Sequence, residues 1–79
     1  MKLKLKTFGA ARDILGGREI VYELDGATVK DLRNQLFTKY PDLVNLNSVL
    51  IAVNQSYADE SVGLKETDEI AIIPPVSGG

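Results

Sequence analysis

Leu3 and Leu5 alternate with Lys2, Lys4 and Lys6 in the opening stretch KLKLKTF (2–8). That period of two predicts a strand with one buried face and one wet face. GAARDILGG (9–17) reads as a short helical turn closed by Gly16-Gly17, where glycine tolerates positive φ. REIVYEL (18–24) returns to period two with Ile20, Tyr22 and Leu24 on one face, and two strands joined this closely are most simply an antiparallel pair. The period then changes. In DGATVKDLRNQLFTKYP, Val29, Leu32, Leu36 and Tyr40 fall at helical spacing and make one apolar stripe. Thr28 with Asp31 three residues on forms a capping-box pattern, Lys39 lies in the last turn, and Pro41 ends the helix.

SVLIAVN (48–54) predicts a third strand, apolar enough to be central or covered on both faces. The following NQSYADESVGLKETD is rich in turn residues and has room for a short strand and one helical turn. EIAIIP (69–74) predicts the last strand, stopped by Pro74 and Pro75, which cannot donate to a sheet ladder. The order is therefore β, β, α, β, a short β, and β. One main helix covers only one face of a small sheet, which predicts a two-layer α+β fold. A β-grasp, a mixed sheet of four to five strands curled around that helix, satisfies this order with the last strand parallel to the first at the middle. The expected division is a β-grasp domain over 1–73 and an extended tail over 74–79.

Composition narrows the chemistry. The 79 residues contain no Cys and no His, which removes disulfides, thiolate and imidazole ligands, and the common nucleophile–base pairs. No carboxylate cluster has metal-ligand spacing: Glu66, Asp68 and Glu69 read as a solvated loop. A net charge of −2 gives no field that attracts nucleic acid or an anionic membrane, and no apolar run is long enough to span a bilayer. The absence of Cys and of a signal-peptide pattern fits a cytoplasmic setting. With no internal acid–base or nucleophilic set, the chain is not expected to be an enzyme alone.

The tail is the remaining chemical feature. No charge falls between Ile70 and Gly79. Pro74 and Pro75 hold the base of the tail extended, and its residues reach roughly 20 Å. Val76 offers one apolar contact, Ser77 is small, and Gly78-Gly79 would pass through a channel too narrow for side chains. A glycine carboxylate is sterically open, yet it is a poor electrophile until activated, most simply as a mixed anhydride with a nucleotide. The chain has no Gly-rich phosphate loop, so activation falls to a partner. Read without further context, a Gly-Gly end is equally a short loose terminus.

FGAARDILG (8–16), TVKDL (28–32), IAVNQ (51–55) and above all DEIAIIPPVSGG (68–79) resemble the MoaD-type sulfur carriers, the small-subunit family of molybdopterin synthase. The resemblance covers essentially the whole chain. It implies a ubiquitin-like β-grasp fold whose working group is the C-terminal carboxylate of Gly79. A ubiquitin-activating-like adenylyltransferase would consume ATP to adenylate it, and a sulfurtransferase would supply the sulfur of a thiocarboxylate. The tail would then enter the large synthase subunit, within a heterotetramer, and pass sulfur to cyclic pyranopterin monophosphate to build the dithiolene of molybdopterin. The chain itself would bind no cofactor or metal, its terminal thioglycine being the sulfur donor. The residues implied to meet partners are Pro74, Pro75, Val76, Ser77 and Gly78, together with Ile72 and Arg12. The sequence departs from the family's habit at Ile72-Ile73, where aromatic residues are frequent, at Gly9, where alanine is usual, and at Asp13, where glutamate is common.

Two other readings share these residues. The first is a carrier of the thiamine-biosynthesis type, or a ubiquitin-like modifier forming isopeptide bonds through Gly79. The second is a β-grasp interaction domain with an inert tail. The Lys2, Lys4, Lys6 stripe reads as a solvated sheet face before a docking stripe, and Arg12 as either a lone surface charge or a partner to an acidic group. Phe8 and Phe37 are core or interface, with the core expected for Phe8.

Overall fold

The computed structural model describes residues 1–46 and 48–74. The strands are β1 (Lys2–Thr7), β2 (Glu19–Glu23), β3 (Leu50–Val53), β4 (Ser56–Tyr57) and β5 (Ile70–Ile73). Two helices, α1 (Gly9–Leu15) and α2 (Val29–Lys39), and a 3-10 turn at Pro41–Asn45 complete the described elements. The strands form one sheet in the order β2-β1-β5-β3-β4. β1 and β2 are antiparallel, with Leu3 opposite Tyr22 and Leu5 opposite Ile20. β5 runs parallel to β1, with Leu5 opposite Ile70 and Thr7 opposite Ile72, and antiparallel to β3 on its other side. This is the β-grasp arrangement, with the last strand at the centre.

Alternation decides what each strand buries. Leu3, Leu5 and Thr7 of β1 and Ile70 and Ile72 of β5 point inward, all at or near zero exposure. They meet Val29, Leu32 and Leu36 from α2, and Ala11 and Leu15 from α1. Leu43, Val49, Ile51 and Leu64 close the core around them. Thr7 is the one polar residue among the buried ones; its hydroxyl donates to the Gly17 carbonyl, and its N–H donates to Arg18 O at 2.8 Å. Both polar groups are satisfied where β1 ends, so the turn into α1 is fixed rather than frayed.

The start of α2 is satisfied completely by its neighbours. Thr28 Oγ1 accepts from Asp31 N at 3.2 Å, and the Asp31 carboxylate accepts from Thr28 N at 3.1 Å and Ala27 N at 2.9 Å. Val29 N donates to Val62 O and Lys30 N to Glu60 O, so the loop after β4 supplies acceptors that the helix cannot provide for itself. Those bonds hold the Asp31 carboxyl below its ordinary range, the Ala27 and Thr28 N–H groups being the main cause. Gly26 makes this possible. Its φ is +139°, and a Cβ there would stand 2.6 Å from Asp31 Oδ2.

The strands are shorter than the sequence predicts: β3 begins at Leu50 rather than at residue 48, and β5 begins at Ile70. Phe8 differs more. It caps α1 with an extended φ of −133° and is 45% exposed, not a core residue. The alternation through Leu3, Leu5 and Thr7 turns the next side chain to the opposite side of the sheet.

Candidate functional site: an apolar face at the end of the last strand

The sheet face turned away from α2 is not uniform. On β1 it carries Lys2, Lys4 and Lys6, all exposed. On β5 and β3 it carries Ala71, Ile73, Leu50 and Ala52, with Leu50 opposite Ile73 and Ala52 opposite both Ala71 and Tyr57. Leu50 is 43% exposed and Tyr57 70%. Phe8 rises beside them. Together Phe8, Ala52, Tyr57, Ala71 and Ile73, with Gln55 and Glu69 at the rim, line a shallow groove of about 320 Å³. Scattered exposed apolar residues are ordinary, but a contiguous group on one sheet face marks an interaction surface.

Phe8 is also the wall of a second groove of about 340 Å³, lined by Lys6, Thr7, Arg12, Arg18 and Glu19. With Lys6 paired to Glu69, Arg12 and Arg18 against Glu19 leave this groove basic by one charge. Arg12, on α1, is half-buried, and its Nε is buried with no hydrogen-bond partner among the described residues. A buried guanidinium N–H without an acceptor carries a desolvation cost, of order 1–3 kcal/mol.

One member of the lysine stripe is paired by the loop before β5. Lys6 Nζ lies 3.0 Å from Glu69 Oε1, both side chains being 46% exposed, and a groove of about 420 Å³ brings Lys4 and Lys6 against Glu19, Glu66, Asp68 and Glu69. Glu66, Asp68 and Glu69 are therefore more than a solvated run. Glu66 accepts from Lys2 N at 2.9 Å, and Asp68 accepts from Asn54 Nδ2 at 3.0 Å and Lys65 N at 2.9 Å. The latter two bonds, that from Asn54 first, hold the Asp68 carboxyl below its usual range. Asn54 also accepts from Glu69 N at 2.9 Å, so the turn between β3 and β4 clamps the start of β5.

At the exit of β5 the backbone of Gly9 passes close to Pro74. Gly9 has φ +52°, and a Cβ built on it would come 3.1 Å from Pro74 Cγ. Phe8, Gly9 and Pro74 thus meet where the chain leaves the sheet. Of the residues implied to bind partners, the structure brings Arg12 and Pro74 to this end, Arg12 in a groove with Phe8 and Pro74 beside Gly9. Ile72 does not belong with them. It is fully buried against the helix layer, and Ile73 is the outward member of the pair. Pro75, Val76, Ser77, Gly78 and Gly79 lie outside the described residues. Sequence reasoning expected Phe8 in the core before an interface and did not single out Ile73, Tyr57 or Gln55 as residues of a partner-facing surface. The strict alternation of β1 carried the signal for Phe8, whereas IAII in β5 is apolar on both faces and carries none.

A sheet with parallel first and last strands gripping one main helix, open and apolar where its last strand ends, defines a β-grasp domain of the ubiquitin-like class. Comparison with known proteins narrows this further. The ThiS family matches residues 5–79, and the chain belongs to that family. The molybdopterin synthase sulfur carrier subunit of Chlamydomonas reinhardtii is 39% identical over 83 residues, covering 100% of each chain. Among solved structures, SAMP1 from Haloferax volcanii, a small archaeal modifier protein, superposes with a TM-score of 0.79 at 27% identity over 100% of both chains. A chain from the complex of subunits 1 and 2 of the molybdopterin-converting factor of Helicobacter pylori 26695 superposes with a TM-score of 0.69 at 28% identity, again over 100% of both.

No helix among the described residues is long and apolar enough to cross a membrane. Nor do those residues contain a group of three or more His, Cys, Asp or Glu able to hold a metal.

Proposed function

We propose that this protein is the sulfur-carrier subunit of a cytoplasmic molybdopterin synthase, with the C-terminal carboxylate of Gly79 as its working group. The observation that carries the reading is the apolar face of Phe8, Leu50, Tyr57 and Ile73, set beside Pro74 where β5 hands the chain to its Gly-Gly end. Family membership and the full-length likeness to sulfur carrier subunits support it. The Helicobacter pylori complex supports a large subunit as the docked partner.

The chemistry follows from the residues. A carboxylate oxygen of Gly79 attacks the α-phosphorus of ATP on an adenylyltransferase, forming an acyl-adenylate and releasing pyrophosphate. A persulfide of the sulfurtransferase forms the C–S bond as the C–O bond to AMP breaks, and a partner thiol then cleaves the S–S bond, becoming a disulfide and leaving a thiocarboxylate on Gly79. That sulfur is nucleophilic at neutral pH without a neighbouring base, which suits a chain lacking Cys and His. On the large subunit the sulfur forms a C–S bond with a side-chain carbon of cyclic pyranopterin monophosphate as a C–O bond at that carbon breaks, and water then cleaves the acyl C–S bond, leaving sulfur on the pterin and returning Gly79 to a carboxylate. Pro74, Pro75, Val76, Ser77 and Gly78 span the distance from the end of β5 to the partner's pocket, and Arg12 receives an acidic or carbonyl group of a partner in the basic groove. The chain binds no cofactor or metal in this scheme; ATP belongs to the activating partner.

Intact mass tests the reading. After incubation with ATP, a sulfur source and a MoaD-type activating enzyme, the full chain gains the difference between one sulfur and one oxygen, while a chain lacking Gly79 does not. No gain with an activating enzyme proven on its own carrier would remove the sulfur-carrier assignment. The likeness to SAMP1 favours a second reading, a modifier joined through Gly79 to lysines of other proteins. Adducts heavier by the mass of a target protein less water, formed without added large subunit, would distinguish it.

A further inference from the structure

Asn54 and Gln55 form the turn between β3 and β4, and both lie in the left-handed region, with φ of 52° and 71°. Glycine is preferred at such positions, because a Cβ there crowds the backbone. Asn54 is accounted for by what its side chain does: it tolerates this conformation well, and it bonds Asp68 and the N–H of Glu69. Gln55 has neither justification. Its longer side chain gains nothing from the left-handed backbone, and the bonds that explain Asn54 have no counterpart at Gln55 among the described residues. Gln55 is exposed and lines the apolar groove with Phe8, Tyr57 and Ile73. The two-residue turn demands a positive φ here but not a glutamine, and a non-glycine residue with no hydrogen bond among the described residues points outward to a task at a surface.

We propose that Gln55 is a specificity-determining residue of the docking face, its side-chain amide pairing with a main-chain peptide group of the bound large subunit. The inference rests on the sulfur-carrier reading above for the identity of that partner. A primary amide offers both a donor and an acceptor, the complement of a peptide group, and the apolar walls around it keep water from competing once the partner is seated. A wrong partner that presents only apolar atoms there leaves the amide dry and unpaired, so Gln55 selects against it as well as for the right one.

The test compares three variants of the full chain by thermal melting and by titration with the purified large subunit. Gln55→Gly relieves the left-handed residue, so the melting temperature stays level or rises, while affinity falls about threefold to tenfold through loss of one neutral hydrogen bond. Gln55→Met keeps the length and the backbone strain but lacks the amide, and weakens binding to the same degree. Phe8→Ala tests the docking face itself and weakens binding more than either. If Phe8→Ala weakens binding and both Gln55 variants bind as the parent does, the inference about Gln55 falls and the docking face stands. Parent-like binding by Gln55→Met alone assigns the position to packing and overturns the amide's role. A clear fall in melting temperature for Gln55→Gly would make the side chain a support of the fold, which also overturns it. Unchanged binding in Phe8→Ala would remove the docking reading itself.

Discussion

Ile72 and Ile73 are neighbours with identical side chains in the central strand, and they serve opposite sides of the molecule. Ile72 is fully buried with Leu5, Leu32 and Leu36, whereas Ile73 opens onto the groove beside Phe8 and Tyr57. The inward face is held chiefly by packing, with the Thr7 bonds and the capping box of α2 at its margins: no Cys is present, and the exposed Lys6–Glu69 pair contributes no more than about 1 kcal/mol. The outward face spends apolar residues where they return little to stability. In a domain of this size, whose net stability is roughly 4–12 kcal/mol, such residues are retained for what binds them. Sulfur carriage explains the division, because a carrier must dock on successive partners without altering its own core.

The sharpest test of that division exchanges the two isoleucines for alanine one at a time. Ile72→Ala removes three buried carbons and leaves a cavity, and costs about 2–5 kcal/mol, visible as a large drop in urea midpoint. Ile73→Ala costs about 1 kcal/mol or less in the same experiment, and its effect appears instead as weaker binding to the large subunit. Similar losses of stability from both substitutions would mean that the outer face is also structural, and the comparison would collapse.

How much of this was legible beforehand depends on how strict the local pattern is. β1 alternates leucine with lysine, so its buried face could be read directly, and the capping box at Thr28 and Asp31 was equally plain because its spacing is fixed by helix geometry. The parallel pairing of β1 with β5 followed from strand order and one covering helix rather than from any residue. Ile72 was misplaced among the partner-binding residues because IAII gives no polar position to fix the parity of the strand. Phe8 was expected in the core because a large aromatic side chain ordinarily belongs there, although the alternation of β1 pointed the other way. The contacts at the two ends of β5 were illegible for a different reason. Asn54 with Asp68, and Gly9 with Pro74, are pairs distant in sequence that only the folded sheet brings together.

A smaller effect is expected at Gly26, which belongs to the inner layer without being apolar. Gly26→Ala places a Cβ where the Asp31 carboxylate sits, at a φ that side chains rarely adopt. The carboxylate must move and give up its bonds to Ala27 N and Thr28 N, or the turn must shift; either way the cost is about 1–3 kcal/mol. Binding to the large subunit, measured where the variant remains folded, stays as in the parent. A loss of affinity at full folding would link the helix start to the docking face and blur the comparison.

The smallest expected effect is the response to acid, and it separates the two layers by chemistry rather than by packing. Asp31 at the start of α2 and Asp68 before β5 both titrate below the ordinary aspartate value of 3.8, because each carboxylate accepts hydrogen bonds in the folded chain. For a group whose folded pKa is depressed, the contribution is fully present above the unfolded value and is lost as pH falls through the folded one. The urea midpoint is therefore level from about pH 7 to about pH 5 as far as these two groups are concerned, and declines below about pH 4. Asp31→Asn and Asp68→Asn each flatten that decline, since the replaced group no longer takes up a proton. Asp68 acts through Asn54 on the start of the strand that carries the docking face, so its protonation alters binding of the large subunit as well as stability. Protonation of Asp31 alters stability alone. A parent whose midpoint holds level to about pH 2.5, or a double variant with an undiminished acid limb, would show that these hydrogen bonds do not set the acid response.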